Sequence, residues 1–141
     1  MVGAGSIKFN CLIASVVSAI NLGICRRLRF VKMIRTHIAI RVLRILYREG
    51  VIRTFVVYTA LDLILVYYKY SNGINICLKL TLISTPGNRC FWTLTKLAKV
   101  YSNYTFTGFY ILSTHDGMVT SNYCLLQGHS GGEVLIKVDI T

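Results

Sequence analysis

The sequence predicts an α/β protein of the α+β kind, built as two small lobes. Residues 1–83 read as an N-terminal helix-strand-helix-meander lobe, and residues 84–141 as a strand-rich lobe with short helices. Three observations carry this expectation. Apolar residues recur at helical spacing in two early segments, β-branched and aromatic runs follow them, and Pro86-Gly87, which holds the single proline, punctuates the chain between strand-rich stretches. With 141 residues, 54% of them hydrophobic, the chain has ample material for a core. A chain of this size buries about 68–70% of the surface its unfolded form exposes, which suits one domain or two lobes and excludes a large multidomain enzyme.

The elements follow in order. Val2-Gly3-Ala4-Gly5-Ser6 reads as a flexible leader, since it has no strand before it and no third spaced glycine for a phosphate loop. Residues 7–22 place Ile13, Val16, Val17 and Ile20 at the i, i+3, i+4, i+7 spacing of an amphipathic helix, with Gly23 as its expected end. Residues 25–33 interleave Arg27, Arg29 and Lys32 with Leu28, Phe30, Val31 and Met33, the pattern of a short basic strand. Thr36 then offers an N-cap to a second helix, with Ile38, Val42, Ile45 and Leu46 on one face, Arg41, Arg44 and Arg48 on another, and Gly50 as its stop. Strands are expected over 53–58, 63–70 and 74–83, with Asn72-Gly73 as the hairpin signal between the last two. Beyond Pro86-Gly87 come a strand at 90–93, a helix over 94–101, a strand over 106–113, a helix over 121–127 and a closing strand over 133–140.

Several function classes drop out. The uncharged run between Lys8 and Arg26 includes Asn10, Ser15, Ser18 and Asn21 and falls short of the roughly 20 apolar residues a membrane span needs. The other apolar run, 55–68, is interrupted by Asp62 and is strand-like, so no membrane insertion is expected. Five cysteines, Cys11, Cys25, Cys77, Cys90 and Cys124, form no C-x-x-C pair, which points to mostly buried thiols in a reducing compartment rather than disulfides or zinc. The N-terminus carries neither a signal nor a transit signature. Gly128-His129-Ser130-Gly131-Gly132 satisfies G-x-S-x-G but lacks a following helix and downstream Asp and His, so it is not read as a nucleophile elbow. Ser113, His115 and Asp116 are sequence neighbours that read as a turn closed by Gly117, not as a triad. The carboxylates Glu49, Asp62, Asp116, Glu133 and Asp139 are scattered, and neither catalysis, a cofactor, a metal nor a small-molecule substrate is expected.

What remains is charge. Sixteen Lys and Arg face five Asp and Glu, a net charge of +11, and the cations concentrate between Arg26 and Arg53. With so few internal counter-charges, the partner expected is a polyanion. Ser113-Thr114 and Gly131-Gly132 add small, hydroxyl-bearing and backbone-exposing positions of the kind that meet RNA sugar and phosphate.

On particular blocks the chain resembles the small-subunit ribosomal protein eight family, from about residue 9 to the C-terminus. Glu49-Gly50-Val51-Ile52-Arg53-Thr54-Phe55 resembles its E-G-Y-I-x-x-F, and Tyr68-Lys69-Tyr70 its L-K-Y. The segment Ile83-Ser84-Thr85-Pro86-Gly87-Asn88-Arg89-Cys90-Phe91 is similar to I-S-K-P-G-x-R-x-Y. Ile111-Leu112-Ser113-Thr114-His115-Asp116-Gly117-Met118-Val119-Thr120 is similar to I-x-S-T-S-x-G-V-M-T, and Gly131-Gly132-Glu133-Val134-Leu135 matches the terminal G-G-E-V-L. Five ordered blocks at compatible spacing make the resemblance specific.

The resemblance implies a two-lobed structural RNA binder that holds a helical junction in the central domain of small-subunit ribosomal RNA and supports subunit assembly. It implies RNA contacts at Ser113, Thr114, His115, Gly117, Gly131, Gly132 and Glu133, at Ser84 and Arg89, and at Asn21 with the cations Arg26, Arg27, Arg29 and Lys32. By the same resemblance, small-subunit proteins five and seventeen would be its neighbours. Departures are visible too. His115 stands where the family has a second serine, either replacing the hydroxyl by stacking on a base or meeting phosphate, or marking a drifted turn position. Thr85 replaces a lysine, and Val17-Ser18-Ala19-Ile20-Asn21 lacks the arginines of T-R-I-R-N, whose role passes to Arg26, Arg27 and Arg29. Abundant Ile, Tyr and Cys, with few acids and one proline, fit an organelle-encoded protein of the mitochondrial matrix, working in the mitoribosome. The alternatives are a non-ribosomal basic RNA-binding protein and a small basic membrane protein.

Overall fold

A computed structural model describes residues 4–101, 107–128 and 131–140. Helix α1 (Ala4–Cys25) buries Ile13, Val16, Val17 and Ile20, the expected stripe. It begins at Ala4, so part of the expected leader is helical, while Val2 and Gly3 lie outside the described residues. It also runs past Gly23. A Cβ there would stand 2.0 Å from the Tyr68 hydroxyl, which donates to the Ile20 carbonyl at 2.8 Å. Gly23 is therefore a close-packing residue and not a terminator. The stop comes at Arg27, whose φ of 54° is left-handed; Arg27 N–H donates to the Ile24 carbonyl and Leu28 N–H to that of Gly23. This is a Schellman end with arginine where glycine is usual, a conformation that costs a non-glycine residue about 1–2 kcal/mol.

The basic segment is consequently a loop, 26–29, followed by a shorter strand than expected, β1 (Phe30–Ile34). Helix α2 (His37–Arg48) follows the sequence expectation. The Thr36 hydroxyl accepts from Ala39 N–H at 3.0 Å, Gly50 closes it at φ 73°, and Arg41, Arg44 and Arg48 face outward. Strands β2 (Ile52–Tyr58) and β3 (Leu63–Tyr68) complete an antiparallel sheet of order β1-β3-β2. Its inner face, with Met33, Ile64, Val66 and Tyr68 buried, packs into the core shared with α1 and α2. The 55–68 run is thus strand and hairpin, and no helix among the described residues is long and apolar enough to cross a membrane.

Asn72-Gly73, at φ 53° and 78°, turns a short hairpin of β4 (Tyr70–Ser71) and β5 (Ile74–Asn75), as the sequence predicts. The next expectation fails. The stretch 74–83 is not one strand of a first-lobe meander: β6 (Cys77–Leu82) pairs antiparallel with the last strand, β10 (Gly131–Ile140). Both sides of the Asn21 amide explain its position, since Nδ2 donates to the Leu80 carbonyl at 2.7 Å and Oδ1 accepts from Leu80 N–H at 2.9 Å, clipping α1 onto β6.

The second sheet runs in the order β6, β10, β8 (Gly108–Thr114) and β9 (Gly117–Thr120), with β7 (Phe91–Thr93) also paired to β10. Strand β8 starts two residues after the expected Phe106, which lies outside the described residues. Strand β9 has no counterpart in the sequence expectation; helices α3 (Leu94–Tyr101) and α4 (Ser121–Gln127) match their expected spans. Ile111, Leu135, Ile136 and Val138 join the core built on α1 and α2, while Tyr110, Leu112 and Val134 form a second cluster with Leu97 and Cys124. Burial of thiols holds for Cys77 and Cys124; Cys90 is half-buried and Cys11 and Cys25 are exposed on α1, correcting the expectation that most are buried.

Candidate RNA-binding interface

Strands β8 and β9 form a hairpin in which Thr114 pairs with Gly117 across His115 and Asp116. Neither His115 nor Asp116 has a positive φ; Gly117 absorbs the turn at φ 100°, in open space. Thr114 Oγ1 accepts from Asp116 N–H at 3.2 Å and donates to the Gly117 carbonyl at 3.2 Å. The threonine thus shapes the loop as well as edging it. His115 is exposed at the tip, its Nε2 3.5 Å from Asp116 Oδ1.

The two glycines of β10 are there for a steric reason. A Cβ on Gly131 would lie 2.2 Å from the Trp92 carbonyl, and one on Gly132 would lie 2.3 Å from the Ser113 carbonyl. Only glycine lets β7 and β8 close in on β10 from both sides. The next residue, Glu133, then faces Ser113 on one side and Phe91 on the other. Glu133 is buried, and its Oε2 accepts from Arg89 Nη2 at 2.6 Å and Nε at 3.1 Å, a charge-assisted pair. The buried Oε1 has no hydrogen-bond partner among the described residues.

Arg89 reaches that position from a pinned turn. Thr85 and Asn88 exchange backbone hydrogen bonds around Pro86-Gly87, and the buried Ser84 hydroxyl accepts from Cys90 N–H at 3.0 Å. Beneath the patch, Trp92 packs edge-on against Tyr110 with centroids 4.9 Å apart, and burial pushes the Tyr110 phenol above its ordinary range.

The structure therefore gathers Ser113, Thr114, His115, Gly117, Gly131, Gly132, Glu133, Arg89 and Ser84 into one region of the second sheet, with Ser84 beneath the surface. The first-lobe set is separate. Arg26, Arg27 and Arg29 are exposed on the α1–β1 loop, and the left-handed Arg27 lines a recess with Ile24, Tyr70 and Asn75. Asn21 is engaged with the Leu80 backbone, and Lys32 stands on the outer face of the first sheet. Two aromatic features escaped sequence reasoning. Exposed Phe91 lies 5.3 Å from the Arg89 guanidinium, and Lys96 sits 5.0 Å from the Trp92 ring. Strand register brings Phe91 to Glu133, and nothing local in the sequence signals it.

The chain is similar to known proteins over most of its length. Residues 12–138 match the family described as Ribosomal protein S8. Small ribosomal subunit protein uS8m of Acanthamoeba castellanii is 32% identical over 131 residues, covering 91% of this chain and 98% of the relative. Small ribosomal subunit protein uS8 of Neorickettsia sennetsu is 31% identical, covering 92% and 98%, and that of Ehrlichia ruminantium is 30% identical, covering 89% and 95%.

Proposed function

This chain belongs to the ribosomal protein S8 family and is a small-subunit ribosomal protein, and we propose that it binds a helical junction in the central domain of small-subunit ribosomal RNA, supporting early assembly and translation. The observation that carries the reading is the closure of β7 and β8 onto Gly131 and Gly132, which places the Ser113-Thr114 hairpin beside the Arg89–Glu133 pair. The glycines act through that closure, which presents the Ser113-Thr114 hydroxyls and backbone groups to RNA sugars and phosphates. Glu133 is buried and repels phosphate, so its role is to hold Arg89 for the RNA.

In this reading residues 84–141, joined in the second sheet by β6, form the RNA-gripping lobe, and the first sheet with its helices forms the lobe that carries Arg26, Arg27 and Arg29 to neighbouring RNA. Ser84 acts by fixing the turn that presents Arg89, and Asn21 by fixing α1. The chain is a binder, not a catalyst. The likeness to uS8m together with the composition supports work in a mitochondrial ribosome, although bacterial uS8 relatives match as well. Small-subunit proteins five and seventeen are the proposed neighbours.

The test is binding to the central-domain junction and to an unrelated hairpin across a salt series. Ser113→Ala/Thr114→Ala should remove the preference for the junction. Arg27→Ala/Arg29→Ala should instead weaken both RNAs and flatten the log-log salt slope by about 0.7–0.9 for each phosphate that is no longer neutralised. Equal binding of every RNA by the wild type would overturn the reading.

A further inference from the structure

The outer face of the first sheet is largely apolar and has nothing packed on it among the described residues. Strand register sets out three cross-strand rows: Phe30, Tyr67 and Thr54; Lys32, Leu65 and Val56; Ile34, Leu63 and Tyr58. All nine residues are exposed or half-exposed, while the alternate residues Met33, Ile64, Val66 and Tyr68 are buried against the helices. Ile34 is 70% exposed, and Leu61, 68% exposed in the adjoining loop, extends the patch. A lone exposed leucine is ordinary; a contiguous apolar face is the mark of an interface.

We propose that this face docks one amphipathic helical segment of another protein, apolar on the side it lays on the sheet and acidic along its flank. Shape sets the size of the occupant. Three strands spaced about 4.8 Å apart and five residues long make a platform about 10 Å wide and 16 Å long, the footprint of about three turns of one helix. A helix there completes a helix-sheet-helix layering that the fold builds on one side alone.

Charge sets the flank. Lys32 is the one charged side chain of the nine, and the exposed Arg53 flanks the end that carries Thr54. The nearby acid, Asp62, is held by Arg35 at 3.0 Å. A second copy related by a two-fold axis through the middle of the face would bring Lys32, in the central row, against its own counterpart, and like charges across an interface are repulsive. Phe30, Tyr67 and Tyr58 could stack bases, but Ile34, Leu63, Val56 and Leu65 offer neither a ring nor a donor, so oligouridylate is the rival occupant that the titration tests.

The experiment titrates the full chain against a labelled peptide about four helical turns long, with a leucine stripe flanked by glutamates. Parallel titrations use the same peptide with lysines for glutamates, anionic phospholipid vesicles and oligouridylate. The acidic peptide should bind at least tenfold tighter than the lysine version, Ile34→Asp and Val56→Glu should each weaken it at least tenfold, and Lys32→Glu should shift the preference towards the lysine version. Junction RNA binding by Val56→Glu should match the wild type, which also shows that variant to be folded. The proposal is overturned if the acidic peptide binds the Ile34→Asp and Val56→Glu proteins undiminished, or if Lys32→Glu leaves the preference unchanged. It is equally overturned if the substitutions abolish binding to vesicles or oligouridylate instead, or if the free chain buries the face by dimerising.

Discussion

Replacing Gly132 by alanine sets the strand spacing of the second lobe against one methyl group. The added Cβ would stand 2.3 Å from the Ser113 carbonyl and 3.0 Å from the Thr114 methyl. Comfortable carbon–oxygen contact begins at about 3.3 Å, so β8 and β10 must part by about 1 Å there. That is enough to break a ladder hydrogen bond, whose donor–acceptor distance rarely exceeds about 3.2 Å. Overpacking of this kind costs about 1–3 kcal/mol, and the restricted unfolded chain offsets about 0.4–1 of it. The net loss is about 1–2 kcal/mol, a fall in Tm of roughly 3–7 °C for a chain of 141 residues. Gly87→Ala is the control, because a Cβ there meets nothing within 4 Å and Gly87 has no positive φ; it should be neutral or slightly stabilising. Thermal and urea unfolding of both variants gives the comparison. Because the methyl displaces Ser113 without removing a charge, Gly132→Ala should weaken junction RNA binding at least tenfold with an unchanged salt slope. Equal stability of Gly132→Ala and Gly87→Ala would refute the close approach on which the site rests.

Three further outcomes follow from the same geometry. Arg27→Gly relieves a left-handed arginine and should leave stability equal or raise it by up to about 1 kcal/mol, while reducing the salt slope of RNA binding by about 0.7–0.9 if Arg27 meets phosphate; urea unfolding and the salt series separate the two effects. Asn21→Ala strips the Leu80 backbone of both partners and should cost about 1–3 kcal/mol by urea unfolding, with no change in the salt slope. Burial pushes the Cys77 thiol up to about 12, so the folded protein holds that proton more tightly than the unfolded chain. The stability this contributes is complete below about pH 8.5 and is lost as pH rises towards 12. Midpoints in urea should therefore fall above about pH 9, and less steeply in Cys77→Ala.

Much of the fold was legible because its signals are local. Thr36 and Gly50 bracket α2 with side-chain and backbone groups a turn away, and Asn72-Gly73 needs nothing beyond its own left-handed pair to make a hairpin. The failures share one cause, a partner distant in the chain. Gly23 reads as a helix end until Tyr68 packs against it, and residues 77–82 read as a first-lobe strand until Asn21 and β10 take them into the second sheet. Strand β9, four residues long, carries too short an alternation to announce itself. At the site, Ser113, Thr114 and Gly131-Gly132 stood out by residue type and by resemblance. That Gly132 is pressed on Ser113, that Glu133 is engaged by Arg89 and that Phe91 joins them depends on register, which no single segment encodes.

The measurement that tests the central claim most directly is cleavage of the ribosomal RNA by a hydroxyl-radical source tethered to a cysteine at position 115, with the exposed Cys11 and Cys25 replaced by serine. The hairpin tip, if it faces the central-domain junction, will cut that junction in a narrow cluster of nucleotides, while the same source at position 56 will leave it intact. Cleavage of the junction from position 56 and not from position 115, or scattered cleavage from both, would contradict the assignment of the second lobe as the RNA-binding one.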